Sequence, residues 1–293
     1  MSTHTHPPGA ETRGDPPSEP RFETLRALLR SPSFICGALL VGFWLGCALL
    51  GPWLVPHDPY ASDPLNSLAP PDRAHWFGTD QLGRDVFSRV IVGARDIFGI
   101  APLATLVGTL AGTALGLVLG YVGGWFDKLA GRLIDAVLAL PLVVVALAAL
   151  AALGASSATV VFVIGFTFMP ITARTVRTAV LAERHLEYVA AAQLRGEHAL
   201  YIMFVEILPN ILPPIVVEGT VRLGYAIFAV ATLSFLGFGV APPSPDWGLA
   251  LSESYALMTG GAWWTVVFDA LAIATLIVGV NLAADGVQGA LDR

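Results

Sequence analysis

The chain has 293 residues, 55% of them hydrophobic and only 13% charged, with a mean hydropathy of +0.69 and a formal net charge of −6. Soluble domains carry about 25% charged residues, so this composition is that of a membrane protein, and the acidic balance without a basic cluster offers nucleic acid nothing to bind. The single lysine, Lys128, follows Asp127; no G-x-x-x-x-G-K-[S/T] phosphate loop can be present, and any ATP used must bind another chain.

Residues 1–20 are rich in Pro, His, Glu and Gly, lack an apolar period, and read as a disordered tail. Nothing there has the pattern of a signal peptide, because the first apolar run starts after Ser33 and is long enough to stay in the membrane. Residues 21–30 predict a short amphipathic helix on the membrane surface, with Arg26 and Arg30 on its polar side. Six apolar segments follow, near 34–55, 97–122, 131–153, 157–178, 211–237 and 263–284. Each approaches the roughly 20 residues a spanning helix needs. In lipid the backbone must satisfy itself, so runs this long and unalternating predict helices, and the expected fold is all-α with six transmembrane helices. Pro170 is expected to kink the fourth span, where Arg174 and Arg177 enter the last turns. Cys36 and Cys47 lie eleven positions apart in the first span, about 16 Å by helical rise, too far for a disulfide; they read as packing residues, and no Cys/His metal set is visible.

The loop 56–96 divides in two: 56–75 is rich in Pro and Asp and irregular, whereas 76–96 predicts a helix capped by Thr79 or Asp80. Val86, Phe87, Val90 and Ile91 form its apolar face, with Arg84, Asp85 and Arg89 largely opposite, as for a helix lying on the membrane surface.

Residues 186–210 are the longest polar interruption of the C-terminal half. Leu186, Val189, Ala190 and Leu194 have helical spacing, and Gly196 then ends the helix as a C′ glycine in a left-handed turn. A short apolar run, Leu200 to Ile207, precedes Pro209. Ala190, Ala191 and Ala192 leave a low-relief surface that another protein can approach, although an ordinary amphipathic connector reads the same way. With both termini cytoplasmic, the inner segments hold eleven of the sixteen basic residues and the connector faces the cytoplasm.

Asp135, Glu218, Arg222 and Asp269 fall in or near spans, where a charge is costly unless paired or hydrated. Glu218 and Arg222, four apart with glutamate first, form a favourable helical pair, and Arg132 with Asp135 offers a second. Asp269 has no basic residue within one turn and is expected to face water, a partner or a substrate path, or to be protonated. The six histidines (His4, His6, His57, His75, His185, His198) lie outside the spans, and no nucleophile–base–acid set appears.

These residues carry a resemblance. The connector resembles the EAA loop of ABC importer permeases, E-A-A, three residues, G, nine residues, I-x-L-P, with Ala191, Ala192, Gly196, Leu208 and Pro209 matching. Ala190 stands in place of the glutamate and Glu206 in place of the isoleucine. Phe77, Gly78, Thr79, Asp80, Gly83, Arg84, Asp85, Ser88, Arg89, Gly93 and Arg95 match the FGTDxxGRDxxSRxxxGxR segment of the dipeptide/oligopeptide/nickel branch. The likeness continues through 116–141, 233–248 and 281–293, so it covers roughly 34–293.

The resemblance implies a multi-pass permease of the bacterial inner membrane. A first helix over 34–55 would precede a type I (MetI-like) core over 97–285, with the coupling loop at 180–210 and a cytoplasmic tail at 286–293. It implies a second homologous permease, two cytoplasmic ABC ATPases that carry the ATP and Mg, an extracytoplasmic substrate-binding protein, and no cofactor or covalent chemistry in this chain. Glu187, Ala191, Ala192, Arg195 and Gly196 would shape the ATPase contact, and Pro242, Trp247 and Gly248 the outer rim. Glu218, Arg222 and Asp269 are candidates for the translocation path; the family position matching Asp269 is usually proline, and an aspartate there would favour cationic groups. Peptides, glutathione, nickel or its chelates, and opine-like compounds all fit the branch. A stand-alone ion-coupled carrier or channel using those three charges is the alternative, although no inverted repeat or paired broken helices support it. An intramembrane enzyme would need a reactive pair that no span carries.

Overall fold

The computed structural model describes residues 28–291. The tail expected over 1–20, most of the helix expected over 21–30, and the last two residues lie outside this range; residues 28–30 are helical. Ten helices of eight residues or more order the described chain: α1 Pro32–Leu54, α2 Val86–Val122, α3 Gly124–Leu138, α4 Leu142–Leu153, α5 Ser157–Glu183, α6 Glu187–Leu194, α7 Ala199–Asn210, α8 Leu212–Phe235, α9 Trp247–Ser254 and α10 Trp264–Leu291. There is no strand among the described residues beyond one isolated bridge, Thr79 to Asp85. Helix α7 contains a π-helical stretch, Ile202–Ile207.

Five of these helices are long and apolar enough to cross a membrane, and the pair α3 and α4, bent by 89°, supplies a sixth crossing if counted as one span. The third span is thus broken rather than continuous over 131–153, at Ala139, Leu140 and Pro141, where a proline cannot donate to the preceding turn. The helix expected on the membrane surface is instead the first turns of α2, which runs unbroken for 37 residues. Its cap is Asp85, whose carboxylate accepts from Ser88 N at 2.8 Å, and not Thr79 or Asp80. Those two are engaged elsewhere: Thr79 Oγ1 donates to Asn66 O and accepts from Ala69 N, and Asp80 accepts from the amides of Leu82 and Arg84. The expected polar face is also wrong, since Arg84, Asp85 and Arg89 are buried together with Val86 and Val90. Helix α5 continues through Pro170, and α10 runs to Leu291, beyond the expected end at 284.

The long axis of the bundle is a glycine stripe. Gly108, Gly112, Gly116 and Gly120 recur every fourth residue on α2 and receive the backbone of α5. Without a hydrophobic drive between helices in lipid, close backbone approach over small residues supplies the packing. Helix α1 is held on α10 in the same way, with Gly37 against Gly279 and Ala283, and Gly286 against Phe34. Trp44 Nε1 donates to Thr275 Oγ1 at 3.1 Å to fix the register. The remaining sides of α1, with Leu39, Phe43, Leu49 and Trp53, are exposed, as a lipid-facing helix requires.

The two ends of the bundle differ. At one, the loop end, residues 56–85 and the turn before α9 cover a core that includes Trp44, Val86, Val90, Trp247 and Trp264. At the other, the connector end, Leu117, Val176, Val180, Val189, Ala192, Ile202, Ile207 and Ile211 form a separate cluster under α6 and α7.

Candidate functional site

At the connector end, α6 closes in a Schellman motif: Gly196 has φ +79°, its N–H donates to Gln193 O at 3.0 Å, and Glu197 N–H donates to Ala192 O at 3.2 Å. An L side chain is strained at that φ, which is why glycine ends the helix. Val189 and Ala192 are 0% exposed, so Ala192 is corrected from a docking residue to a packing residue. Leu194, at 90% exposure, points away from the bundle together with Glu187, Ala190, Ala191 and Arg195. Glu206, which departs from the family pattern, has a local partner: Arg195 Nη2 donates to its carboxylate at 2.8 Å. The two residues tie α6 to α7 across the glycine turn. Tyr188 donates to Glu183 Oε2 at 2.7 Å, and burial with that carboxylate beside it pushes the phenol up to about 12.

Above the connector, α3 lies across α5. Arg177 pairs with Asp127, and Arg174 pairs with Asp135. The pairing expected between Arg132 and Asp135 is therefore replaced by one between helices, because the bend after α3 lays it beside the last turns of α5. Those interhelical pairs account for both arginines in the fourth span. The Glu218–Arg222 pair forms as expected on α8, Nε to Oε1 2.6 Å; both side chains are half-buried and the guanidinium lies 5.2 Å from the Tyr225 ring.

The loop end holds a cluster of buried charge. Arg84 Nε donates to Asp80 Oδ2 at 2.6 Å and its Nη2 to Glu253 Oε2 at 3.0 Å. Arg89 donates to the carbonyls of Pro59 at 3.2 Å, Pro243 at 3.4 Å and Ser244 at 2.9 Å, and lies 3.7 Å from Asp80. These contacts staple the 56–85 loop, the 236–246 turn and α9 onto α2. Asp269 is part of this cluster. It is 3% exposed and lines a small cavity with Asp80, Arg89, Glu253, Ser254 and Thr265. Of the alternatives expected for it, facing water, a partner or a substrate path is not what this chain shows, and the protonated one is left: α9 covers it inside the chain, and the nearest basic residue, Arg89, comes from α2. Its Oδ1 accepts no hydrogen bond among the described residues.

Two of the three expected rim residues also move inward. Trp247 is 0% exposed and donates from Nε1 to Val90 O at 2.8 Å, while Gly248 packs on the backbone of Ala231; only Pro242 is exposed. The reason is that α9 turns back into the bundle against α8 and α10. Asp246 caps α9 by accepting from Leu249 N at 2.9 Å, and burial pushes its carboxyl up to about 6. An aspartate raised in the fold favours the protonated state, so its contribution is full below about pH 4 and is lost as pH rises through about 6. Unfolding measured from pH 4 to 7 should show the full chain losing on the order of 2 kcal/mol across that window. Asp246→Asn, which keeps the cap, should remove this part of the slope; an unchanged slope would assign the titration to another group.

Two features escaped the sequence reading. The glycine stripe of α2 was legible as a small-x-x-x-small repeat. The cluster of His57, His75 and Asp85, whose ligand-type atoms lie within 4.8 Å of one another, was not, because its members are far apart in the chain.

An all-helical bundle with five or six apolar crossings, closed at one end by a glycine-broken connector, is the build of a multi-pass membrane protein. Residues 112–293, more than half the chain, match the family model described as the binding-protein-dependent transport system inner membrane component, and residues 20–71 match the N-terminal TM domain of oligopeptide transport permease C. The chain belongs to the family of binding-protein-dependent transport system inner membrane components. It is 36% identical to the dipeptide transport system permease protein DppC of Alkalihalophilus pseudofirmus, over 99% of this chain and 97% of that protein. It is 36% identical to the probable D,D-dipeptide transport system permease protein DdpC of Escherichia coli strain K12, over 89% and 88%. It is 37% identical to the glutathione transport system permease protein GsiD of Escherichia coli O1:K1 / APEC, over 93% and 90%. As the permease of a binding-protein-dependent ABC importer, it is a transport subunit and not an enzyme; ATPase and substrate-binding functions belong to separate subunits.

Proposed function

We propose that this chain forms half of the membrane path of an ATP-driven importer of short peptides, opposite a second homologous permease. Of two ATPase subunits carrying ATP and Mg, one docks on α6 and the other on the corresponding connector of the second permease, and an extracytoplasmic binding protein delivers substrate at the loop end. Support for the substrate class comes from the names of the relatives, which transport dipeptides, D,D-dipeptides and glutathione. The orientation, with the connector and both termini cytoplasmic, follows from the basic residues at the connector end, among them Lys128, Arg132, Arg174, Arg177, Arg184 and Arg195. At the loop end, Arg84 and Arg89 are neutralised within the buried cluster and weigh less in that balance. Of the charges first considered for the path, Glu218 and Arg222 remain half-buried on α8, and we assign them to its wall.

The observation that carries the coupling role is the exposed alanine face of α6 above a buried Val189 and Ala192. Nucleotide-driven closure of the ATPases moves this face, and the path alternates between its two openings. Gentle purification of the tagged chain from its native membranes, with mass spectrometry of what accompanies it, should recover a second permease and ATPase subunits. Ala191→Trp, which places a bulky ring on the exposed face, should leave thermal unfolding unchanged but remove the ATPases and lower transport-coupled ATP hydrolysis at least about tenfold. A chain recovered alone and moving solute in liposomes without ATP would overturn the reading in favour of a stand-alone carrier.

A further inference from the structure

At the loop end, three separate pieces of backbone bring together His57, His75 and Asp85. His75 Nδ1 and Asp85 Oδ1 are 2.9 Å apart, and the two imidazole rings lie 4.8 Å centroid to centroid. Asp85 divides its labour: Oδ2 accepts from the amide and hydroxyl of Ser88 to cap α2, which leaves Oδ1 for a second partner. The neighbours are fixed independently. His57 N–H donates to Ser88 Oγ at 3.4 Å, and His75 N–H donates to Asp72 Oδ1 at 2.6 Å. Asp85 is buried, His75 half-buried and His57 exposed, so the group is rigid on one side and open to solvent on the other.

We propose that His57, His75 and Asp85 form a site for one divalent transition ion, with zinc the best fit. Two imidazoles and a carboxylate are borderline nitrogen and oxygen donors, and three protein ligands with an open fourth position match a tetrahedral ion. At metal–ligand bonds of about 2.0 Å a tetrahedral edge is about 3.3 Å. The His75–Asp85 pair at 2.9 Å is close to that edge, and the full set within 4.8 Å reaches it by side-chain rotation. Binding displaces the proton between His75 Nδ1 and Asp85 Oδ1 to solvent and exchanges the 2.9 Å contact of His57 Nε2 with Ala74 O for the ion. The positive end of α2 opposes a cation, and the Asp85 carboxylate supplies the compensating charge. The ion is held and not carried: it clamps the 56–85 loop to the first turn of α2.

The test uses the full chain with a tag free of histidine, in a His4→Ala/His6→Ala background that removes the tail imidazoles. Zinc is titrated against a chromophoric chelator. One equivalent per chain should bind, X-ray absorption should show nitrogen and oxygen near about 2.0 Å without sulfur, and zinc should raise the unfolding temperature. His57→Ala and His75→Ala should each weaken binding at least about tenfold and abolish the zinc-dependent stabilisation. His57 is exposed, so its variant should unfold like the parent without zinc. Substoichiometric binding, or stoichiometric binding that neither variant weakens, would overturn the proposal, the second result marking adventitious zinc elsewhere.

Discussion

Replacing Gly112 and Gly116 together with leucine is expected to leave no folded permease in the membrane. A Cβ on Gly112 would stand 2.6 Å from Thr172 Cβ and 2.8 Å from Met169 O, and one on Gly116 would stand 2.7 Å from both Ala173 O and Val176 Cβ. Backbone oxygens cannot step aside, so α2 and α5 must separate along the stripe. Even Gly112→Ala should cost about 1–3 kcal/mol by overpacking, and the double leucine variant should exceed the margin of about 5 kcal/mol on which many proteins stand. Gly42 serves as the control, since nothing lies within 4 Å of its added Cβ and alanine there improves helix propensity. Thermal unfolding in mild detergent should therefore rank Gly42→Ala at or above the parent and Gly112→Ala well below it. Equal melting of the two would show that α2 and α5 do not pack as described.

The second large effect is expected at Arg89. Its guanidinium is the common donor to Pro59, Pro243 and Ser244, and it sits between Asp80 and Asp269. Arg89→Met strips three carbonyls of their donor and leaves the buried Asp269 without its basic neighbour, while Asp80 keeps Arg84; the change should cost about 3–5 kcal/mol. Arg89→Lys should recover little, because a single ammonium cannot reproduce the planar fork. Asp269→Asn placed on top of Arg89→Met should restore part of the loss, with a coupling of about 1–3 kcal/mol in a double-mutant cycle. Additive behaviour would mean that the two charges do not sense each other, and Asp269 would again need a partner outside the chain.

How much of this was legible depends on the range of the contacts involved. The spans were readable because hydropathy is a property of consecutive residues, and the Gly196 turn because its conformation is local. The Glu218–Arg222 pair was readable for the same reason, as both residues share a helix. What failed was tertiary. Arg84 and Arg89 read as part of a wet face because Glu253, Pro243 and Ser244, which they meet, are more than 150 positions away, and Asp85 because the loop that buries it beside His75 is irregular in sequence. Trp247 and Asp269 were misplaced by the same blindness, since nothing in 236–262 announces that α9 folds back under the loop. Arg132 appeared the natural mate of Asp135 until the bend after α3 brought Arg174 alongside.

The burial of Val189 and Ala192 has a mechanical consequence. Those two side chains are wedged among Leu117 of α2, Val176 and Val180 of α5, and Ile202, Ile207 and Ile211. A push on the outer side of α6 therefore meets no slack: it loads the feet of two full-length helices and the root of α8 at once. Under the coupling role proposed for α6, such a joint would act as the short arm of a crank, passing a displacement at its base directly to those helices.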